Sequence, residues 1–307
     1  MNVQIISPAE LTELRKSRPD LVLLDVRLAE DFTAEHLRGA TNNCVFEVQF
    51  LDRMKEIAPD LLVPVCCYGC GQGSLESSVA AEKLRRGGYS SVYDLASGLA
   101  ACTEVGWSTE CVGTLRATPA LHDGTYDVDL SESWVEWTGR NLLNSHYGRI
   151  GLRRGEISVR DGRLASGEFV LEMAEITCHD LAGTPLHDVL VAHLRSDDFF
   201  DTGQFPTARF VLSSTSSPAE ATPGSRNLPI SGELTMKDIS APLQLFASAG
   251  VAPDGRLAAQ AEFELDRTRW NVLYGSGKFF RRLGGHLVND CISIRLRIVA
   301  SPVRDRR

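Results

Sequence analysis

The sequence predicts two domains: an α/β domain with a parallel sheet flanked by helices, then an all-β domain that closes as an antiparallel eight-stranded barrel. Before about residue 110, short apolar runs of strand length alternate with helical patterns, as they do in parallel sheets. From about residue 124, single apolar and polar residues alternate, as they do in half-buried strands. The stretch between has few large apolar residues. We therefore predict domains at 1–110 and 124–301, joined by a linker at 111–123.

The first domain opens with a helix whose start can be located from the sequence alone. Ser7 stands where a helix cap is expected, Pro8 suits the first turn, and Glu10 can complete a capping box. The helix should continue to about Ser17. The remaining pattern predicts strands at 21–26, 61–67 and 91–95 and helices at 46–57 and 75–86.

The second domain alternates apolar and polar residues over several runs. Ala261, Phe263 and Leu265 share one face of a predicted strand, and the polar residues between them share the other. Asp161-Gly162 and Asp254-Gly255 lie between such runs, where hairpin turns are expected. About eight strands can be placed, which is enough to close a barrel around one small ligand.

Composition excludes several classes of protein. The 307 residues carry a net charge of −8, so a nucleic-acid partner is not expected. The start of the chain lacks the pattern of a secretion signal, and no apolar run reaches the length of a membrane span. We therefore expect a cytoplasmic protein that does not cross a membrane. In that compartment the eight cysteines should be thiols. The sequence leaves the oligomeric state open, a homodimer included.

Two stretches of the first domain resemble the rhodanese-like family. They are LLDVRLAEDFTAEHLRGA, residues 23–40, and GGYSSVYDLASGLAA, residues 87–101. The resemblance places Asp25, Arg27 and His36 in the framework of that fold. It also implies a cysteine loop after the central strand that can form a persulfide from thiosulfate or another sulfane-sulfur donor.

The candidate cysteine loop follows the strand predicted at 61–67. Cys70 is the candidate nucleophile, and the loop residues around it are Gly69, Gly71, Gln72, Gly73 and Ser74. Glycines allow backbone N–H groups to converge on an anion. Two registers stay open, because the family's cysteine position falls on Gly69 if the strand ends at Tyr68 and on Cys70 if one residue is inserted. No Arg or Lys lies between Cys66 and Val79, and Glu76 should oppose a thiolate.

Four motifs of the second domain resemble the YceI-like family, in the family's order. They are TYDVDLSESWVEWTGR from Thr125, HLRSDDFFDTGQFPTARF from His193, ISGELTMKDISAPLQL from Ile230 and FELDRTRWNV from Phe263. The resemblance implies a lipocalin-like barrel whose interior holds a long isoprenoid, a quinone lipid or another amphiphilic lipid.

Several aromatic residues and one histidine are candidates to contact such a lipid, although the aromatic residues could equally belong to a plain core. The set comprises Trp134, Trp137, His146, Phe199, Phe200, Phe210, Phe279 and Phe280. We interpret residues 187–210 as a packed corner of the barrel in which His187 and His193 form hydrogen bonds near its mouth. No metal site is expected. Residues 271–289 either form a loop packed over the barrel end or a lid whose rings touch lipid and whose arginines meet a head group or a negative surface.

Three hypotheses for function stay open. In the first, a lipid-binding barrel is coupled to a sulfurtransferase that acts through Cys70. In the second, the chain is a non-enzymatic lipid or quinone carrier, and its first domain is a catalytically silent interaction module. A scaffold without a cavity is a third. None of them requires a cofactor beyond a bound lipid.

Overall fold

The computed structural model describes residues 3–71, 73–113, 120–215, 224–252 and 254–303. Contacts between Cα atoms divide the chain into two compact units, Met1–Thr118 and Pro119–Arg307. The linker predicted at 111–123 lies partly outside the described residues, and its bounds stay a prediction.

The first unit is an α/β domain, as predicted. Its elements are β1 (Gln4–Ile5), α1 (Pro8–Ser17), β2 (Val22–Asp25), α2 (Ala29–Ala34), β3 (His36–Leu37), β4 (Thr41–Asn42), α3 (Phe50–Ile57), β5 (Val65–Tyr68), α4 (Glu76–Arg86), β6 (Val92–Leu95), α5 (Gly98–Glu104) and β7 (Thr109–Glu110). Five strands form a parallel sheet in the order β1-β6-β5-β2-β4, and β3 pairs with β7. One apolar cluster packs α3 and α4 against the sheet, and another packs α1 and α5. The predicted strand at 61–67 is shorter, since residues 61–63 form a turn.

The start of α1 confirms the local prediction. Ser7 Oγ accepts the N–H of Glu10, and the Glu10 carboxylate accepts the N–H of Ser7, which completes the capping box. Both contacts join residues three apart, so nothing outside this turn is needed to form them.

The second unit is the predicted antiparallel barrel. Its elements are β8 (Gly124–Val128), β9 (Trp134–Arg140), β10 (Ser145–Arg160), β11 (Arg163–Glu172), α6 (Pro185–Arg195), β12 (Thr207–Thr215), β13 (Leu228–Met236), β14 (Ile239–Val251), β15 (Leu257–Asp266) and β16 (Cys291–Pro302). Both β8 and β9 pair with β10 on one side and with β16 on the other, so these two strands share one position in the ring. The nine strands therefore occupy eight positions around the ring, and the ring is closed.

Four connections meet at one end of the barrel because antiparallel strands reverse at each turn. This mouth end comprises residues 141–144, 173–206, 237–238 and 267–290. It includes α6, a helix that the packed-corner interpretation of residues 187–210 had missed. The signals for it were present: Thr184 precedes Pro185, and apolar residues recur at helical spacing up to Leu194. No helix in the described parts of the chain is long and apolar enough to cross a membrane.

Candidate functional site

The barrel encloses a cavity of about 280 Å³, and hydrocarbon side chains cover nearly all of its wall. This volume is close to the lower end of the range of about 300–1,000 Å³ that is typical of ligand pockets. A long chain must therefore displace some side chains or extend through the mouth. Because the wall offers few hydrogen-bonding groups, a bound molecule must be mainly apolar.

Polar lining residues concentrate at the mouth end. Arg140, Asn141, Asn144 and His146 belong to the turn between β9 and β10 or to its flanks, and Arg140 and Asn144 are exposed to solvent. The cavity is thus amphiphilic, with an apolar interior and a polar, solvent-accessible end.

His146 is oriented by a carboxylate from a distant part of the chain. Its Nδ1 lies 2.8 Å from Asp180 Oδ2, and Asp180 Oδ1 accepts the N–H of Tyr147 at 2.8 Å. Burial opposes ionisation of Asp180, but the hydrogen bonds from Tyr147, His146 and Cys178 outweigh it and lower the pKa of this carboxyl. Nδ1 therefore donates to a carboxylate, and Nε2 is left to accept a hydrogen bond in the neutral ring. Sequence analysis had not singled out Asp180.

A buried arginine holds the loop between β15 and β16. Arg267 is 2% exposed, and its guanidinium donates to the carbonyl oxygens of Val272 and Tyr274 at 2.7 Å each and to those of Asn289 and Val288 at 3.1 and 3.2 Å. Burial lowers the pKa of Arg267, against the nearby Asp290 and Asp266. One side chain thus connects both ends of the loop that covers the mouth end. Its role was not predicted from sequence.

The structure separates the predicted lipid-contacting residues into two groups. The residues that line the cavity are Trp137, His146, Phe199, Phe200 and Phe210. The Trp134 ring lies outside the cavity wall, between the guanidinium groups of Arg149 and Arg295. Phe279 and Phe280 are 56% and 46% exposed and do not line the cavity either. Direct contact with lipid stays a prediction for all of them.

The two histidines of α6 form the hydrogen bonds that we predicted. His187 Nδ1 lies 2.8 Å from Asp188 Oδ1, and His193 Nε2 lies 3.3 Å from Asp198 Oδ2. The His193 ring also packs edge-on against Phe199 and Tyr274. Within the described residues, no three His, Cys, Asp or Glu side chains are grouped so that they could hold a metal ion.

The cysteine loop of the first unit follows the carboxyl end of β5. This strand ends at Tyr68, which is the register that places the family's cysteine position on Gly69. Gly71 has a φ of +75°, and a Cβ there would lie 2.2 Å from the carbonyl oxygen of Ser97, so only glycine fits. Gln72 lies outside the described residues. Cys70 is exposed, whereas Cys66 and Cys67 are fully buried in the sheet.

A carboxylate occupies the space that the cysteine loop would offer to an anion. Glu76, the first residue of α4, accepts the Cys70 N–H at 2.8 Å through Oε2, and Cys70 Sγ lies 3.6 Å from Oε1. A Cβ at Gly69 would lie 2.4 Å from Glu76 Oε2, so the missing side chain at this position makes room for the carboxylate. Partial burial and Glu76 raise the pKa of the Cys70 thiol, with Arg27 acting in the opposite direction. The thiol is therefore the favoured form.

The framework residues Asp25, Arg27 and His36 form a hydrogen-bonded group after β2. Asp25 is fully buried and accepts two donors from the Arg27 side chain, with Nη2 at 2.6 Å from Oδ2. Arg27 also donates to the carbonyl oxygen of Glu35 at 2.6 Å, and His36 Nδ1 lies 2.6 Å from the carbonyl oxygen of Phe32. These contacts join β2 to the residues that follow it.

A buried carboxyl that sequence analysis missed lies near the start of α4. Asp94 is 2% exposed, and within the described residues its Oδ1 has no hydrogen-bond partner. Burial raises the pKa of Asp94, and a hydrogen bond from Ser77 acts in the opposite direction. Its ionised form is therefore costly in the folded protein.

Comparisons with known proteins find a family model for each of the two units. The family model described as YceI-like domain matches residues 126–300, more than half of the chain, and the rhodanese-like domain model matches residues 7–104. Among solved structures, BcnA of Burkholderia cenocepacia is 20% identical with a TM-score of 0.45, over 57% of this chain and all of that one. A polyisoprenoid binding domain from Saccharophagus degradans is 14% identical with a TM-score of 0.41, over 59% of this chain and all of that one.

The first unit has solved relatives too. The rhodanese-like domain of the Alr3790 protein from Anabaena sp. is 28% identical with a TM-score of 0.32, over 40% of this chain and 89% of that one. No curated protein matches the chain.

Proposed function

Because this chain belongs to the YceI-like family through residues 126–300 and carries a rhodanese-like domain at residues 7–104, we propose that it is a cytoplasmic carrier of an isoprenoid or other amphiphilic lipid. The observation that carries this proposal is the barrel cavity, apolar throughout except at one solvent-accessible end. A quinone or isoprenoid alcohol has the matching distribution of polarity. No sulfur transfer is needed for this function.

The lipid enters with its polar end at the mouth. Phe210 and Trp137 line the apolar wall, and His146 lies at the end where Arg140 and Asn144 meet solvent. At the mouth, the head group forms hydrogen bonds with His146 and with water, whereas the opposite orientation would bury it without hydrogen-bond partners. With Nδ1 directed at Asp180, Nε2 is the atom through which an uncharged His146 ring accepts a hydroxyl donor.

Mass spectrometry of the purified full chain tests the carrier proposal. Native conditions should show a releasable lipid adduct, and denaturing conditions should remove it; the same spectra report whether the chain is a monomer or a homodimer. Ala247→Phe should abolish the adduct, because Ala247 lines the cavity and the added ring fills it. Gln244→Phe is the matched control, since Gln244 lies on the same strand but faces away from the cavity. An adduct that survives equally in both variants would rule out the cavity as the binding site.

For the first domain we propose a catalytically silent interaction module. The Glu76 carboxylate supports this hypothesis, because it accepts the Cys70 N–H and disfavours the thiolate that a sulfurtransferase requires. A carboxylate in the loop also repels an anionic donor such as thiosulfate. We expect no transfer of sulfur from thiosulfate to cyanide above the rate of a Cys70→Ser protein. Transfer by the wild type that Cys70→Ser abolishes would instead establish the sulfurtransferase hypothesis.

A further inference from the structure

Exposed apolar side chains of the barrel unit are concentrated at one end. Among its described residues, twelve large apolar side chains are exposed, and nine of these lie in the mouth end or on the strand residues next to it. The nine are Leu142, Leu143, Tyr147, Leu186, Val189, Ile239, Phe279, Phe280 and Leu287. The other three are Leu130, Phe246 and Val303. Single exposed apolar residues are ordinary, but such a concentration around a cavity mouth indicates a contact surface.

The turn between β9 and β10 presents two leucines directly to solvent. Asn141 Oδ1 accepts the N–H groups of Leu143 and Asn144 at 2.9 and 2.7 Å, so the turn satisfies its own backbone groups. Leu142 and Leu143 are 89% and 87% exposed. The turn therefore forms without burying either leucine, and both are available to an apolar partner.

The neighbouring loop presents two phenylalanines beside two arginines. Asn289 N donates to the carbonyl oxygen of Arg140 at 2.8 Å, which joins this loop to the β9–β10 turn. Phe279 and Phe280 are followed by Arg281 and Arg282, both exposed, and neither arginine has an ion-pair partner among the residues that the structure describes. The two apolar pairs, Leu287 and the nearby arginines form what we call the rim surface. Its members are Leu142, Leu143, Phe279, Phe280 and Leu287, together with Arg140, Arg281 and Arg282.

We propose that the rim surface docks onto a lipid bilayer that contains anionic lipids. The leucines and phenylalanines insert at the boundary between head groups and acyl chains, as the apolar faces of interfacial proteins do. The guanidinium groups of Arg281 and Arg282 bind lipid phosphates, for which Arg is well suited. Arg281 and Arg282 place two positive charges side by side next to the exposed phenylalanines of a chain whose net charge is −8, and this favours an anionic partner over a second copy of this chain.

Docking at this surface would place the cavity mouth against the membrane. Arg140 belongs both to the rim surface and to the cavity lining. An apolar chain could then pass between the bilayer and the cavity without crossing water, which is the costly step for such a molecule. The surface extends the carrier proposal but does not depend on it, since bilayer binding can be measured without any bound lipid.

Cosedimentation of the full chain with vesicles tests this proposal. Vesicles of phosphatidylcholine with added phosphatidylglycerol should bind at least tenfold more tightly than phosphatidylcholine alone, and added salt should remove the difference. Leu142→Ser with Leu143→Ser should weaken binding to both kinds of vesicle at least tenfold. Arg281→Gln with Arg282→Gln should remove only the preference for the anionic vesicles, and because both residues are exposed this variant should fold even if the leucine variant does not.

Phe246→Ser is the matched control for the apolar substitutions, because Phe246 is 56% exposed on β14 away from the mouth end. It should bind vesicles as the wild type does. Failure of the wild type to bind anionic vesicles would overturn the proposal, and so would equal losses in Phe246→Ser and in the rim variants. A concentration-dependent dimer that the rim substitutions disrupt, without vesicle binding, would identify a second copy as the partner instead. Vesicle binding without any lipid uptake would support docking and refute the carrier proposal.

Discussion

Glu76→Gln should make the Cys70 thiol more reactive at neutral pH. In the wild type, partial burial and the Glu76 carboxylate raise the pKa of Cys70 above its ordinary value of 9.0, so the thiol is mostly protonated at pH 7. The fraction of thiolate then rises as the pH rises toward that pKa. Glutamine keeps the size of the side chain and an acceptor for the Cys70 N–H, but it removes the negative charge.

The size of the effect follows from the distance between Cys70 Sγ and Glu76 Oε1, which is 3.6 Å. Two unit charges this far apart interact by about 1 kcal/mol in a water-like dielectric, which is appropriate because Cys70 is exposed. Below the thiol pKa, about 1 kcal/mol corresponds to about a fivefold change in the thiolate fraction. Alkylation by iodoacetamide should accelerate by a similar factor.

The assay needs a background without the other exposed cysteine, Cys111, so both proteins should carry Cys111→Ser. Alkylation of the Cys70 peptide is followed by mass spectrometry as a function of pH. Glu82→Gln is the control, because Glu82 lies on the same helix but pairs with Arg85 and Arg86. An unchanged Cys70 rate in Glu76→Gln would refute the conclusion that Glu76 keeps the thiol protonated, and with it the main argument for a silent loop.

Three further substitutions test other parts of the structure. Asp94→Asn should raise the free energy of unfolding near neutral pH by on the order of 1 kcal/mol, because the buried carboxylate is costly. The pKa of Asp94 is raised in the folded protein, so the protonated carboxyl favours folding in acid, and this contribution is lost as the pH rises from 3.8 through the folded pKa. The stability advantage of Asp94→Asn over the wild type should therefore vanish when urea unfolding is measured in acid. Arg267→Met should lower the free energy of unfolding in urea by about 3 kcal/mol, because it removes the hydrogen bonds of a buried guanidinium. Arg269 is exposed, and Arg269→Met should change this free energy little. His146→Phe should weaken binding of a fluorescent isoprenoid alcohol about fivefold and leave that of the matching hydrocarbon unchanged.

Much of the fold could be predicted because its signals are local. The capping box of Ser7 and Glu10 and the Asp161-Gly162 turn each involve residues a few positions apart, and the structure confirms both. The alternation of Ala261, Phe263 and Leu265 predicted the strand that the structure shows as β15. The helix α6 was missed although its signals were present, because the aromatic and acidic residues that follow it suggested a corner.

The candidate sites were less accessible to the same reasoning. Alternation shows that Trp134 and Trp137 face opposite sides of β9, but it cannot tell which side faces the cavity. Ring closure settles it, since Trp137 lines the cavity and Trp134 lies between two arginines. Phe279 and Phe280 are exposed to solvent and do not line the cavity, which no local pattern could show, and their contact with lipid stays a prediction.

By itself, the sequence of this protein determined the elements whose hydrogen bonds and apolar pattern lie within one turn or one strand. Its motifs also determined the two domain types. Only the tertiary structure decided that Asp180 orients His146 across 34 positions and that the Glu76 carboxylate turns back over Cys70 into the space beside Gly69. The physical reason is that a local pattern sets which face a side chain takes. Its partner is set by how separate segments pack, and that depends on the whole chain.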